Sequence, residues 1–280
     1  MTPAVASVGR LVVCPTPIGN LDDVTLRVLD ALGRAEVIAC EDTRHTRKLL
    51  ARHSIRAELV SVHEHNERAR APELAARVRA GELVALVSDA GTPLISDPGY
   101  ALVRECRRAG LPVEVLPGAS AVTTALVASG LAPERWCFVG FLPRRRTELI
   151  RLVSGASDTL VAFESPRRLA ATLAVLAEEE PEREVAVCRE LTKLHEEVRR
   201  GSAAELAAGY RQAPVRGEIV LVLGPGAGPQ RAAFADALHA LAELVDAGAR
   251  PRTAASVVAR LCGQRANELY RGLAAAPPRR

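Results

Sequence analysis

Short apolar runs alternate with stretches of helical periodicity from residue 10 to residue 225. The runs predict strands at 10–14, 36–40, 58–62, 83–88, 113–116, 136–140, 159–163, 184–188 and 217–223. Between the first two, Leu21, Val24, Val28, Leu29 and Leu32 recur at helical spacing, with Asp22 or Asp23 near the start and Gly33 at the stop. Strands alternating with helices predict an α/β fold whose parallel or mixed sheets are covered by helices. The turn Leu116-Pro117-Gly118-Ala119-Ser120 suggests a boundary between two α/β domains, residues 1–116 and 117–225. From 226 to 280 the composition shifts to Ala, Leu and Arg. There the pattern predicts a linker (224–229), helices at 231–247, 252–262 and 265–274, and a frayed tail from Pro277 to Arg280.

Two of the strands run into unusual loops. The first leads into Pro15-Thr16-Pro17-Ile18-Gly19-Asn20, and another into Ser88-Asp89-Ala90-Gly91-Thr92-Pro93, with Ser96-Asp97-Pro98-Gly99 just beyond. In open α/β sheets ligands sit outside the carboxyl ends of the strands. Glycine there lets a backbone approach a ligand, and proline holds the loop's shape. Neither a G-x-G-x-x-G nor a G-x-x-x-x-G-K-[ST] pattern occurs. Dinucleotides and triphosphates bound in the usual way are therefore disfavoured. Loops rich in backbone donors and acceptors but poor in fixed charge suit a ligand with both polar and apolar parts.

Composition narrows the picture modestly. No apolar run approaches the roughly 20 residues that span a bilayer, and the first residues do not read as a secretory signal. The six cysteines are scattered without a C-x-x-C pair, as expected of buried thiols in a reducing, cytoplasmic setting. A formal charge of +4 permits an anionic partner without demanding one. Lys48 and Lys193 are the only lysines among 37 basic residues, and lysine, unlike arginine, can give up its proton. Arg250, Arg252, Arg260, Arg265 and Arg271 lie on or between the expected terminal helices. These helices read either as a small nucleic-acid-binding helix-turn-helix or, more plainly, as a helical appendage or dimer contact.

Nine motifs recur in one order: PTPIGNLDDVTLR (15–27), CEDTRHTRKLL (40–50), HEHNE (63–67), ALVSDAGTPLISDPGY (85–100), LPGASAVTTAL (116–126), GFLPRR (140–145), FESPRRL (163–169), RELTKLHEE (189–197) and GEIVLVL (217–223). Together they resemble the bacterial 16S ribosomal RNA cytidine 2'-O-methyltransferases of the tetrapyrrole methylase superfamily. The resemblance covers residues 10–225 and extends to the basic helical tail. It implies two α/β domains with S-adenosylmethionine folded into the cleft between them, a homodimer, and 16S ribosomal RNA in the small subunit as substrate, methylated on a cytidine ribose of the decoding region. It implies no metal. The superfamily's usual glycine-rich first loop and Gly-Asp-Pro second loop are here Pro17-Ile18-Gly19 and Gly91-Thr92-Pro93, which matches the ribosomal RNA branch and counts against a tetrapyrrole substrate. A methylase of a small tetrapyrrole-like molecule and a non-catalytic RNA-binding assembly factor are the alternatives.

Carried over by position, the resemblance implies cofactor contacts at Pro17, Gly91, Thr92, Pro93 and Ile95, closed from the other side by Ser120, Ala121 and Phe163, with Leu191 and Ile219 as weaker candidates. Methyl transfer needs the acceptor oxygen in line with the sulfonium methyl, and a ribose hydroxyl must lose its proton. Candidates for the base and for substrate contacts cluster in three loops: Glu41, Asp42, Arg44 and His45; His63 to Glu67, including His65 and Asn66; and Arg189, Glu190 and Lys193. Lys193 is the first choice for base or orienter, because a desolvated ammonium between charges can have its pKa lowered; the competing reading is an ion pair with Glu190 or Glu197. Glu41, Asp42 and Arg44 read equally well as a helix start. His63 and His65, two apart, would share one face of a strand; with no cysteine or further histidine nearby, RNA contact or a structural hydrogen bond is preferred over a metal pair. Arg144, Arg145 and Arg146, with Arg167 and Arg168, read either as grips on RNA phosphates or as solvated charges. The chain has few aromatics, so a base-stacking platform is poorly supplied.

Overall fold

The computed structural model describes residues 9–211, 215–226 and 234–275. Contacts divide them into two units, one holding both sheets and the other holding the three terminal helices with Ser154–Ser157.

The first sheet contains β1 (Arg10–Val13), β2 (Val37–Cys40), β3 (Glu58–Ser61), β4 (Leu83–Leu86) and β5 (Val113–Val115) in the order β3-β2-β4-β1-β5, all parallel. Alternate residues of each strand enter opposite cores. Val12, Ile38 and Ala85 meet Val28 and Leu32 of α1 (Leu26–Arg34) and Leu49 and Leu50 of α2 (Thr43–Arg52). Leu11, Val37, Val84 and Leu86 meet Leu74 and Val78 of α3 (Glu67–Arg79) and Leu102 and Cys106 of α4 (Tyr100–Arg108). Burial on both faces explains why the inner strands β2 and β4 are continuous apolar runs. Because β1 and β4 are parallel neighbours, the loops following them emerge side by side.

The single helix expected over 21–32 is divided. Asn20 caps a 3-10 turn at Leu21–Asp23, Val24 is extended, and the Thr25 side chain accepts from Val28 N to start α1. Thr25, rather than Asp22 or Asp23, supplies the cap of the helix proper, and Gly33 lies inside its last turn.

The chain crosses from β5 through residues 116–120 into α5 (Ala121–Ser129), which packs on the second sheet through Val122, Ala125 and Leu126. That sheet runs β6-β7-β10-β8-β9: β6 (Trp136–Phe141), β7 (Thr159–Glu164), β8 (Glu184–Arg189), β9 (Glu197–Ser202) and β10 (Ile219–Leu223). β6 and β7 are parallel, whereas β10 is antiparallel to both β7 and β8, and β8 and β9 form a hairpin. β9 was not among the expected strands. Its sequence, EVRRGS, lies on the sheet edge and is mostly exposed or half-buried, so it lacks an apolar run. Helices α6 (Arg146–Ser154), α7 (Leu169–Glu179) and α8 (Ala203–Tyr210) complete this half, and α7 packs against α8.

The second unit comprises α9 (Phe234–Asp246), α10 (Pro251–Cys262) and α11 (Ala266–Ala275) around Leu241, Ala255, Val258 and Leu269. Gly263, at φ +66°, caps α10 in the left-handed conformation. The guanidinium of Arg252 lies 5.6 Å from the Tyr270 ring centre and Arg265 pairs with Glu268, while Arg250, Arg260 and Arg271 are exposed. The end of the expected linker, the start of the expected helix at 231 and the tail from Pro277 to Arg280 lie outside the described residues.

Candidate functional site

The strand-end loops of the two sheets enclose a cavity of about 470 Å³. Ile18 enters from the loop after β1; Ala90, Gly91, Thr92, Ile95, Ser96 and Asp97 from the loop after β4; and Ser120, Ala121 and Val122 from the crossover. Phe141, the stretch Phe163–Pro166 and the stretch Gly217–Val220 form the wall from the second sheet.

Local chemistry fixes this arrangement. Thr16 and Gly91 exchange backbone hydrogen bonds of 2.9 and 3.0 Å, joining the two loops of the first sheet. The Thr16 hydroxyl donates to Ser88 O, and the Thr92 hydroxyl to Ala119 O at 3.1 Å, tying the β4 loop to the crossover. Gly91 holds φ +79°, and a Cβ there would meet Ile18 at 3.3 Å. On the opposite wall the register of β6 against β7 shifts between Phe138 and Phe141, with Gly140 at φ +67°. Phe141 and Phe138 both meet the Phe163 ring edge-on, at 5.5 and 5.0 Å between centres.

Of the ten expected cofactor residues, Gly91, Thr92, Ile95, Ser120, Ala121, Phe163 and Ile219 line this cavity. Pro17, Pro93 and Leu191 are buried and do not line it, Leu191 sharing a core cluster with Ile18.

The loop between β8 and β9 carries the expected catalytic group. Glu190 Oε1 accepts from Lys193 Nζ and from Glu218 N, each at 2.9 Å, and Glu218 Oε2 lies 3.1 Å from the same ammonium. Burial pulls the Lys193 pKa down, but the hydrogen bonds and charges of Glu190 and Glu218 outweigh it and leave the pKa above the ordinary lysine value. The expectation of a lowered lysine pKa is thereby corrected: two carboxylates hold Lys193 protonated. Burial likewise works against the Glu190 carboxylate, but Lys193 and Glu218 N win and lower its pKa. The pair forms with Glu190 and Glu218, not Glu197, which pairs with Arg189 at 3.1 Å. Lys193 packs so closely against the first loop that a Cβ on Gly19 would lie 2.4 Å from its Cγ, and Asn20 N donates to Thr192 Oγ1 at 3.0 Å.

At the end of β2, Asp42 caps α2: it accepts from Arg44 N at 2.8 Å and pairs with the Arg44 guanidinium at 2.7 Å. Those bonds to Arg44 lower its pKa, so the helix-start reading accounts for this pair. Its own backbone N donates to Asp89 Oδ1 at 3.0 Å. Burial and then the Asp89 charge raise the Glu41 pKa. His45 is exposed. His63 and His65 lie in the turn after β3, not on a strand, with ring centres 6.0 Å apart. Asn66 is spent on the backbone, accepting from His63 N and donating to Ser61 O. Among the described residues, no three His, Cys, Asp or Glu side chains gather in a group able to hold a metal ion.

The arginine cluster divides. Arg145 pairs with Glu148 and Arg146 with Glu178 and Glu179, while Arg168 donates to Leu142 O and Pro143 O. Arg144 and Arg167 are exposed, and among the described residues neither has a carboxylate within ion-pair distance.

Asp97 belongs to one of the expected ligand loops but not to the expected contact residues. It lines the cavity, and burial first, then the charges of Glu41, Asp89 and Glu218, push its pKa up to about 6 against the pull of the Ser88 hydroxyl. Only the SDPG punctuation signals it in the sequence.

The chain matches the family model of the tetrapyrrole (corrin/porphyrin) methylases over residues 10–207. It is 43% identical over 274 residues to the ribosomal RNA small subunit methyltransferase I of Escherichia coli O157:H7, covering 95% of this chain and 94% of the relative. Identity to the protein of that name from Mycobacterium bovis is 47% over 272 residues, 94% of each chain. Among solved structures, uroporphyrin-III-C-methyltransferase from Thermus thermophilus superposes with a TM-score of 0.55 at 27% identity, over 77% of this chain and 94% of that one. Diphthine synthase superposes with a TM-score of 0.60 at 16% identity, over 77% and 90%, a likeness of fold. The chain belongs to the tetrapyrrole methylase family, and within it to the ribosomal RNA small subunit methyltransferase I group.

Proposed function

We propose that this protein transfers a methyl group from S-adenosylmethionine to the 2'-oxygen of a cytidine ribose in the 16S RNA of the small ribosomal subunit. The observation that carries this reading is the cavity where strand ends of both sheets converge, in a chain nearly half identical to small-subunit RNA methyltransferases along almost its whole length. The cavity fits the donor. Its volume lies within the roughly 300–1,000 Å³ of small-molecule sites. Ile18, Phe163, Ile219 and Val220 offer apolar walls for an adenosine, and Gly91 leaves open the space that a Cβ would fill.

When bound, S-adenosylmethionine supplies an electrophilic methyl group on a sulfonium. The chain's own residues do the rest. The 88–93 loop and the crossover, locked by Thr16 and Thr92, hold one side of the site, while Phe163 and the start of β10 hold the other. Such fixed orientation supplies much of the acceleration in a transfer of this kind. Lys193 remains a cation between two carboxylates, so its part is positioning, through the clasp that joins Gly19 and Asn20 to the 190–193 loop. Exposed Arg144 and Arg167, close in sequence to cavity residues Phe141 and Pro166, are suited to ribose-phosphate backbone.

The reading extends to a homodimer in the cytoplasm. Exposed Val127 and Leu194, 80% and 93% accessible, offer apolar contact surface, and the six cysteines are free thiols. The mass in solution, measured by light scattering, tests the dimer. The activity is tested with tritiated S-adenosylmethionine and small subunits from a strain lacking the enzyme. Label is expected on a ribose 2'-oxygen of the small-subunit RNA; label on a base, or none on RNA, overturns the proposal.

A further inference from the structure

We propose that Asp97 is the group that takes the proton from the ribose 2'-hydroxyl as the methyl is transferred. This inference rests on the reaction proposed above and names a residue for a step that it leaves unassigned.

Asp97 lies on the cavity wall contributed by the first sheet, facing the Glu218 side of the opposite wall. Its loop is held in an unusual shape. Leu94 and Ser96 adopt φ of +74° and +67°, a left-handed backbone that side chains with a Cβ resist. Gly99 follows at φ +120°, its N–H donating to Glu67 Oε2 at 2.9 Å, which anchors the loop to the start of α3. The chain thus holds an aspartate against the cavity through a conformation that leucine and serine would not choose.

Lys193 is held protonated and has no free electron pair. Glu190 is committed to Lys193 and Glu218 N. Glu164, on the cavity wall from the second sheet, is buried and accepts from Thr172 Oγ1 at 2.6 Å and from Ser165 N at 2.7 Å. His45 and His65 do not line the cavity. Asp97 has no lysine or arginine within ion-pair distance among the described residues. The groups facing it are Glu41 beyond β2, Ser88 and Asp89 beyond β4, and Glu218 before β10. Burial and those three carboxylates raise its pKa to about 6, so near neutral pH it is ionised yet far more basic than an ordinary aspartate.

The step balances. The hydroxyl proton passes to the Asp97 carboxylate, an oxygen lone pair forms the new bond to the methyl carbon, and the carbon–sulfur bond breaks with its electrons remaining on sulfur. S-adenosylhomocysteine and the 2'-O-methyl ribose result, and Asp97 returns its proton to solvent.

Asp97→Asn, of nearly the same shape, tests this in three measurements. Single-turnover methylation of small subunits should slow by about 100- to 10,000-fold, with the affinities for S-adenosylmethionine and RNA, measured by calorimetry and filter binding, each changed less than about threefold. The wild-type rate should fall below a pH near 6, and that limb should vanish in the variant. In the ligand-free protein labelled with 13C-aspartate, one carboxyl resonance missing from Asp97→Asn should titrate near 6 rather than at the ordinary 3.8. A variant rate above one tenth of wild type, an unaltered acid limb, a carboxyl titrating near 3.8, or a loss confined to donor binding would each overturn the assignment. If wild type itself leaves no label on ribose, the proposed reaction fails and the base with it; label in wild type beside an active variant removes the base alone.

Discussion

Gly217→Ala tests whether the cavity rim and the Lys193 clasp are one construction. Gly217 holds φ +93°, and a Cβ there would lie 2.5 Å from Cγ, Cδ and Oε1 of Glu190. An L-residue in a left-handed conformation costs about 1 kcal/mol relative to glycine. The methyl must also displace the Glu190 carboxylate, which then loses its 2.9 Å bonds to Lys193 Nζ and Glu218 N. Charge-assisted bonds at a partly exposed site contribute about 1 kcal/mol each, so the substitution should destabilise the unit by about 3 kcal/mol. Trp136, the only tryptophan, lies in β6 of the second sheet and reports its unfolding in guanidinium by fluorescence. In a Glu190→Ala background those bonds are already gone, and the cost of Gly217→Ala should fall to about 1 kcal/mol, a coupling of about 2 kcal/mol. Additivity within about 0.5 kcal/mol would show that the glycine acts without Glu190, and the reasoning would fail.

Three further outcomes follow from the same geometry. Asp97 binds its proton more tightly in the fold than the ordinary 3.8, so stability should decline as pH rises from 3.8 through about 6. Asp97→Asn should therefore be more stable than wild type at pH 8, by about 1 kcal/mol once solvent screening of the half-exposed group is allowed for, and equal stability in thermal melts would refute this. Thr172→Val leaves the buried Glu164 carboxylate without its 2.6 Å donor and should cost about 2 kcal/mol in denaturant unfolding; a neutral effect would show that the hydroxyl is dispensable. Arg144→Ala with Arg167→Ala should weaken RNA binding and lower its salt slope by about 1.5 in log-log plots, while binding of S-adenosylmethionine stays unchanged in calorimetry.

The residues differ in how openly their sequence announces them. Val37–Cys40 and Leu83–Leu86 are apolar throughout because helices cover both of their faces, so they read directly as strands. The β9 stretch does not, because an edge strand needs no apolar face. The cavity loops could be recognised from Gly91 and the prolines, since backbone shape is a local property. Charge states could not. Whether Lys193 rises or falls depends on Glu190 and Glu218, brought together by the pairing of β8 with β10, and the elevation of Asp97 depends on Glu41 and Asp89 of its own sheet and on Glu218 of the other. Asp42 and Arg44 carry two readings in sequence, chemistry or a helix start, and only the folded chain shows them capping α2 and pairing with each other.

Ile219–Leu223 is the last strand of the second sheet to be synthesised, yet it occupies the middle of that sheet, between β7 and β8. Until it arrives, both neighbours present bare hydrogen-bonding edges, an invitation to wrong pairing or to self-association. Any shortened version of the protein ending before residue 217 would leave that gap permanently open, and the cavity wall along Gly217–Val220 would be missing as well. Closure of the second sheet and completion of the cavity wall are therefore one event on the growing chain.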